Sequence, residues 1–496
     1  MRSRFLLVSL VAVFWSTCSQ SEQHTLTILH TNDMHSAFVP HEASWIREST
    51  KPLIGGFNEL SFMIDSIRGT RNNVLLLDGG DVMTGNPIAD LMYGGAEGGA
   101  LFAMMNMIGY DAWCVGNHDF DISQENLARL TAIAQFPTLS ANVVNTKDAY
   151  PVNNKPFMII DKGGIKIGII GVMSQDLYHL VNQNSLVGIK VLDPIATTQR
   201  WVDELKSKTD LLIALTHQGV DDDSILASNV TGLNIIVGGH SHTRLKQPKQ
   251  VNGVVIVQAG SDCENLGVLE ISVENRRVVT FNGHLVQLWH RTDRPRTKLS
   301  AFIDSVQHVI DVEYDQVVAT LKTDWRKTDG ESGLGNFVAD AQREAAHADV
   351  AFMNNTGIRA SVSAGPLTKR EIFQVMPFRN ILTTFQLSGS QLRSVLIHAL
   401  RRGGLSFSGI TCQWKRNAGG QPEIVAIRAN GKPLDDERMY ICTASDYFVG
   451  EAKRYIGVEV TQPTYLQQTV FSALEAAARK AGEIDSKVEN RIQEIQ

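Results

Sequence analysis

Val74-Leu75-Leu76-Leu77-Asp78-Gly79-Gly80-Asp81 is an apolar run that stops abruptly at two glycines flanked by carboxylates. A short apolar run bounded by glycine reads as a strand buried on both faces. The polar residues after it then lie at the strand's end, where open α/β sheets place their chemistry. Glycines there let the backbone approach a bound ion or phosphate closely. The arrangement recurs along the chain. Asp33 and His35 follow Leu26–Leu29, and Asn117 and His118 follow Trp113-Cys114-Val115. His217 follows Leu211–Leu215, and His240 and His242 follow Ile235–Val237. Taken singly, each cluster also has the look of an Asx turn or a structural histidine. Taken together they form an ordered set of oxygen and imidazole donors that suits two divalent ions such as zinc, manganese or cobalt. Two ions roughly 3.5–4 Å apart clamp both oxygens of a phosphoryl displacement.

The most specific element is Gly116-Asn117-His118-Asp119-Phe120-Asp121. Asn117 offers a carbonyl oxygen as a metal ligand. His118 is expected to face substrate rather than a metal, with Asp121 orienting its imidazole from behind. In Asp78-Gly79-Gly80-Asp81, spacing alone leaves both carboxylates open as a bridge between metals.

The chain has 496 residues, enough for two or three domains. Its net charge of −6 and lack of a long basic run argue against a nucleic-acid binder. A small anionic substrate stays open, because bound metals would dominate the local field. Arg2 and Arg4 precede an apolar stretch from Phe5 to Trp15, far shorter than the ~20 residues of a membrane span. Residues 1–22 therefore read as an export segment. Ser16-Thr17-Cys18-Ser19 is similar to a bacterial lipoprotein cleavage box, which leaves two expectations: a lipid anchor at Cys18, or ordinary cleavage nearby. Either places the protein in the periplasm or on the envelope of a bacterium. No later segment reads as transmembrane. Cys114, Cys263, Cys412 and Cys442 lack zinc-knuckle spacing. Cys114 reads as a buried thiol, and Cys412 and Cys442 are candidates for a disulfide in an oxidising compartment.

Residues 23–290 alternate strand-like and helical stretches, with helices expected at Phe57–Arg68, Leu101–Met107 and Ala196–Lys206. Hairpins are expected over Phe157–Val172 and Leu266–Leu288. Polar residues 291–296 open a linker, residues 291–316, whose helix is marked by Leu299, Phe302, Ile303, Val306 and Ile310 at helical spacing. Residues 317–496 form a second, smaller α/β unit. Its expected helices are Leu334–Ala346 and Thr469–Ala481, with strands at Asp349–Met353, Gly409–Trp414, Ile424–Ala429 and Met439–Ala444.

In order and wording these clusters resemble the exported 5′-nucleotidase family, whose first domain is a two-metal calcineurin-like phosphoesterase. The second domain agrees. Glu331-Ser332-Gly333-Leu334-Gly335-Asn336, Asn354-Asn355-Thr356-Gly357-Ile358-Arg359 and Pro377-Phe378 are similar to the family's opening motif, substrate loop and Pro-Phe turn. The resemblance implies a four-layer αββα first domain, a linker helix and a C-terminal substrate domain. It implies hydrolysis of a phosphate ester, most simply a nucleoside 5′-monophosphate. It assigns Asp33, His35, Asp81 and His242 to one metal, and Asp81, Asn117, His217 and His240 to the other, with Asp81 bridging. His118 and Asp121 match its catalytic dyad. Asn354 and Arg359 match substrate-binding positions, and Phe378 an aromatic that stacks on the base. Metals on one domain and the substrate anchor on the other imply that domain closure assembles the site.

Two departures bear on specificity. The family's late Gly-Gly-Asp-Gly-aromatic stretch is replaced by Phe448–Gly457, where Tyr455 is the candidate second wall of the base site. Asn355 and Thr356 stand where the substrate loop usually has glycines. Nucleotide-sugar, 2′,3′-cyclic nucleotide and thiosulfonate chemistries, known in relatives with the same metal framework, therefore stay open. So does a non-catalytic nucleotide-binding envelope protein.

Overall fold

The computed structural model describes residues 24–495 apart from positions 49 and 182. The expected export segment and Cys18 lie outside the described residues. Two six-stranded sheets dominate the first half. One runs, in spatial order, Arg277–Gln287, Asn265–Glu274, His24–Thr31, Val74–Asp78, Ala112–Cys114 and Thr138–Leu139. The other runs Phe157–Lys162, Ile165–Met173, Leu211–His217, Ile235–Val237, Val254–Val257 and Lys249–Val251. The central strands of both are parallel, so their metal-loop ends fall on one rim.

Strand alternation builds the layers. Leu26, Ile28, Leu75 and Leu77 of the first sheet share one core with Ile167, Ile169, Ile213 and Leu215 of the second. The intervening residues point outward. Leu29 and Leu76 meet helices Phe57–Arg68 and Gly99–Ile108, while Ile170, Leu212 and Ala214 meet Pro194–Leu205 and Val220–Asn229. Side chains alternate faces with period two, so continuous apolar runs are what a sheet covered on both sides demands. The result is the expected four-layer αββα domain. Both expected hairpins form. The first turns at Gly163 and Gly164, and the second at Asn275 and Arg276, all at positive φ.

The linker helix spans Lys298–Tyr314 and begins with a reciprocal cap between Thr297 and Ser300. Its buried stripe of Leu299, Ile303, Val306, Ile310 and Tyr314 joins the first domain's core. The second half carries a five-stranded sheet ordered Leu405–Ser408, Val350–Asn354, Met439–Ser445, Ile381–Ser388 and Thr464–Thr469. Four-stranded and three-stranded sheets flank it. Strand Ile381–Ser388 and helix Gly389–Arg402 were not anticipated from the sequence. Thr383 and Thr384 interrupt the strand's apolar run, and only pairing on both edges makes it a central strand.

The candidate Cys412–Cys442 disulfide does not form. Cys114, Cys263, Cys412 and Cys442 are all free and buried. Cys412 pairs in register with Ile427 and Ile492 in one sheet, and Cys442 with Val350 and Phe385 in another. The two thiols act there as small apolar residues in a shared core.

Candidate functional site

Five loops leave the strand ends and bring the sequence-predicted donors together. Asp33, His35 and His242 form one group, and Asp81, His217 and His240 another, each with ligand atoms within 4.8 Å of one another. Asp81 reaches both: its Oδ2 is 3.1 Å from His217 Nε2 and 4.0 Å from His35 Nε2. The Asn117 carbonyl oxygen lies 3.1 Å from His217 Nε2 and 3.0 Å from His240 Nδ1. Asp78, the other carboxylate of its loop, turns away and accepts from Thr31 Oγ1 and Gly80 N.

The backbone is bent to make this possible. Asp33, His35, Asp81, His240 and His242 all have positive φ. Non-glycine residues rarely adopt that conformation, and it concentrates at functional sites. Gly80, also at positive φ, passes so close that an added Cβ would stand 2.7 Å from His217 Nδ1.

The donor set fits two divalent ions. His217 Nδ1 donates to the Gly79 carbonyl at 2.7 Å and His35 Nδ1 to the Thr84 carbonyl at 3.1 Å. Each bond fixes the tautomer and turns an Nε2 lone pair into the site when the ring is neutral. His35 and His242 face each other through Nε2 at 3.0 Å, a contact that two lone pairs disfavour and an ion between them uses. Charge within the set is strongly coupled. Burial would raise the Asp81 pKa, but His217 and His118 outweigh it and hold the carboxyl well below its usual range. Burial would lower His217, yet Asp81 and Asp33 push it up to about 9. Burial and the neighbouring His217 bring His240 down to about 4.

His118 stands beside this set, its ring 5.3 Å from that of His35. Its Nδ1 donates to Asp121 Oδ2 at 2.7 Å, and Thr84 Oγ1 donates to the same oxygen at 2.7 Å. Burial opposes protonation, but Asp121 and Asp81 raise the His118 pKa to about 10.

Sequence reasoning missed two supports. Asp119 is buried and accepts backbone N–H groups from Asp81, Val82, Met83 and Gly116. It ties two donor loops into one unit. Asn32 donates to Asp33 Oδ2 and the Gly260 carbonyl, and accepts from Ala259 N. The signal was present, since both are polar residues next to proposed ligands, but they read as ordinary turn residues.

On the second domain, Arg359 and Phe378 come together, the guanidinium carbon 5.5 Å from the ring centroid. Asn354 is buried at its strand end and donates to Thr356 Oγ1. Asn355, standing where the family has glycine, donates to the Asp329 and Gly330 carbonyls and accepts from Ser406, so this loop is braced by a side chain. Tyr455 packs with the second domain's core. Its ring stacks on Phe448 at 5.0 Å and meets Tyr447 edge-on at 6.4 Å. Tyr447 is 43% exposed, and Asp446 beside it bonds the backbone of Ile381, close in the chain to Phe378. Pro377 and Arg379 share a recess with Thr84 and Gly85, which sets this face against the His118–Asp121 pair.

Comparison with known proteins agrees with this geometry. Residues 26–244 match the calcineurin-like phosphoesterase family, and residues 316–457 match the 5′-nucleotidase C-terminal domain. A 5′-nucleotidase of Vibrio vulnificus is 30% identical, over 75% of this chain and 75% of its own. The chain belongs to the 5′-nucleotidase family. The solved 5′-nucleotidase precursor from Thermus thermophilus superposes with a TM-score of 0.73 at 25% identity, over 95% of this chain and all of that one. The trifunctional nucleotide phosphoesterase protein YfkN of Bacillus subtilis is 28% identical over 95% of this chain, which spans about 35% of its length. As a 5′-nucleotidase family member the protein is a phosphoric ester hydrolase of the two-metal class. Among the described residues no helix is long and apolar enough to cross a membrane.

Proposed function

We propose that the protein hydrolyses nucleoside 5′-monophosphates to nucleoside and phosphate. The double donor group with the His118–Asp121 pair beside it carries this reading. Asp33, His35, Asp81 and His242 would hold one ion, and Asp81, Asn117, His217 and His240 the other; zinc, manganese and cobalt all suit the set. When bound, two such ions supply charge neutralisation on the phosphoryl oxygens and lower the pKa of an attacking water.

The chain's own groups do the rest. Asp121 and Thr84 hold the His118 ring so that Nε2–H points away from the carboxylate. That proton is donated as a hydrogen bond to the phosphoryl or leaving oxygen. Arg359 and Asn354 anchor the substrate, and Phe378 offers its ring to the base. Residues 1–22 serve export to the periplasm or envelope, with either a lipid on Cys18 or cleavage nearby; the mass of the mature N-terminal peptide separates the two.

A second reading with the same double donor group, hydrolysis of nucleotide sugars or 2′,3′-cyclic nucleotides, is kept open by the altered late loop, in which Tyr455 stacks on Phe448. The test is product release by purified protein with manganese, cobalt or zinc, on AMP, UMP, a nucleotide sugar, a cyclic nucleotide and a sugar phosphate. Fast metal-dependent release from the monophosphates supports the nucleotidase. Activity confined to another substrate replaces it with the second reading, and no turnover with any metal overturns both.

A further inference from the structure

The second domain holds a cavity of about 220 Å³ that the mechanism does not use. None of the double donor group lines it, nor do Arg359, Phe378 or Tyr455. It is larger than the ~150 Å³ that accommodates benzene in a protein interior. Leu396 and Leu400 of helix Gly389–Arg402, together with Leu405, Trp414 and Ile492, form its apolar wall. Asp329, Glu331 and Asn336 give it a polar side. An apolar chamber with a few convergent polar groups is the usual form of a small-molecule site.

The polar side lacks a cation. Arg491, which also lines the cavity, is neutralised by Asp340 at 2.7 Å and Glu489 at 2.9 Å. Arg416, over the Trp414 ring, is paired with Glu494 at 2.9 Å. Glu331 accepts only from uncharged donors, the backbone N–H groups of Glu489 and Arg491 and the Asn336 amide. Asp329 is exposed, and among the described residues it forms no ion pair. Asn336 is 2% exposed. Its Nδ2 donates to Glu331 Oε1 and the Lys487 carbonyl, while its Oδ1 has no partner. A buried acceptor without a donor is costly, so a ligand N–H that meets it gains free energy. Two uncompensated carboxylates, an unmet acceptor and an indole together select a cation with an apolar body.

The walls of this cavity also hold the substrate loop. Asn355 N donates to the Gly404 carbonyl at 2.9 Å, and its Nδ2 to the Asp329 and Gly330 carbonyls at 2.9 and 3.0 Å. Ser406 Oγ donates to Asn355 Oδ1 at 2.8 Å. Asp329, Gly330, Gly404 and Ser406 all line the cavity. We propose that the cavity is an effector site for an organic ammonium ion with an apolar body, and that its occupancy sets the substrate loop through Asn355. The ammonium group lies beside Asp329 and Glu331 and donates to Asn336, and the apolar body packs on Leu396, Leu400 and Trp414. The coupling rests on the reading of Asn354 and Arg359 as the substrate anchor. A bound ligand fixes the walls on either side of Asn355 relative to each other. The loop is then ordered before substrate arrives, and that cost no longer falls on substrate binding. By linkage, each ligand favours the binding of the other.

The probe is phenethylamine, with phenethyl alcohol as its neutral counterpart, titrated by calorimetry into the full-length protein with added manganese. Asp329→Asn removes an exposed charge and leaves the fold intact, and Leu400→Trp fills the chamber. The amine is expected to bind wild type, to bind Asp329→Asn about tenfold more weakly and to lose binding to Leu400→Trp. The alcohol should bind wild type about tenfold more weakly than the amine. Saturating amine should lower KM for AMP about fivefold in wild type and leave KM unmoved in Asn355→Gly. Absence of binding, or equal binding by wild type and Leu400→Trp, would overturn the site. Equal affinity for amine and alcohol would overturn the ligand class, and a wild-type KM unmoved by bound amine would overturn the coupling. The calorimetric arm needs no turnover, so failure of the nucleotidase reading is told apart from failure of the site.

Discussion

His118 shows most clearly how neighbours make a residue useful. Its proton is held by Asp121 and Asp81 against the penalty of burial. Loss of one preorganised donor to a transition state typically removes about 2.7–4 kcal/mol, so His118→Ala should lower kcat by about two to three orders of magnitude. Measured alongside metal content, an unchanged rate with both ions bound would refute the role. Gly116 tests the donor set from another side. An added Cβ there would meet Asp81 Oδ1 at 2.2 Å, so Gly116→Ala must displace the proposed bridging carboxylate. The expected outcome is loss of bound metal by elemental analysis together with loss of turnover. Chain order made the donors legible at this scale, because each follows an apolar run. The positive φ at Asp33, His35, Asp81, His240 and His242 was not legible, since Asp and His tolerate that conformation better than most residues but do not require it.

At the scale of elements, Asp119 joins two strand-end loops through four accepted N–H bonds. Asp119→Ala leaves those buried donors unpaired, at about 1–3 kcal/mol for each that finds no water. Thermal unfolding should show a large loss of stability along with lost activity; a variant that stays as stable as wild type would contradict this role. Strand pairing also buries His30, which packs against Gly267 of the neighbouring strand with Nδ1 unpartnered. Burial lowers its pKa from 6.5 to about 3. Below pH 6.5 the unfolded chain therefore takes up a proton that the folded chain refuses. Stability falls as pH drops through that window, by about 1.4 kcal/mol per pH unit from this group. His30→Leu should shift the acid-unfolding midpoint to lower pH, and an unmoved midpoint would count against it. Element type was readable from period, as helix Phe57–Arg68 and hairpin Phe157–Val172 show. Strand Ile381–Ser388 was not, because its identity comes from partners on both edges.

Across the whole molecule, the linker helix bonds to both domains. Its apolar stripe enters the first domain's core, while Asp311 and Asp315 hold Arg370 and Glu313 holds Lys369 of the second. Arg379, next to Phe378, completes the junction by donating to Asp90 at 2.7 Å and to both Glu97 oxygens at 3.2 Å. These bonds set the face that carries Phe378, the proposed base platform, against Thr84 and hence against Asp121. Arg379→Ala should raise KM for the preferred substrate several-fold while changing kcat less, because the anchor moves and the chemistry stays. Initial-rate kinetics check this, and an unaltered KM would remove Arg379 from that role.

The sequence by itself determined the layered fold and which residues are the candidate donors. Apolar runs of strand length can only be buried between two covering layers, and polar residues at their ends then share one rim. Spacing left Asp78 and Asp81 open and the resemblance chose Asp81; the tertiary structure turns Asp81 into the double donor group while Asp78 accepts from Thr31 and Gly80. Tertiary structure alone kept Cys412 and Cys442 apart as free thiols by placing them in different sheets, and stacked Tyr455 on Phe448 in the core. Local pattern fixes which face a residue belongs to, but contacts between residues distant in the chain fix what that face meets.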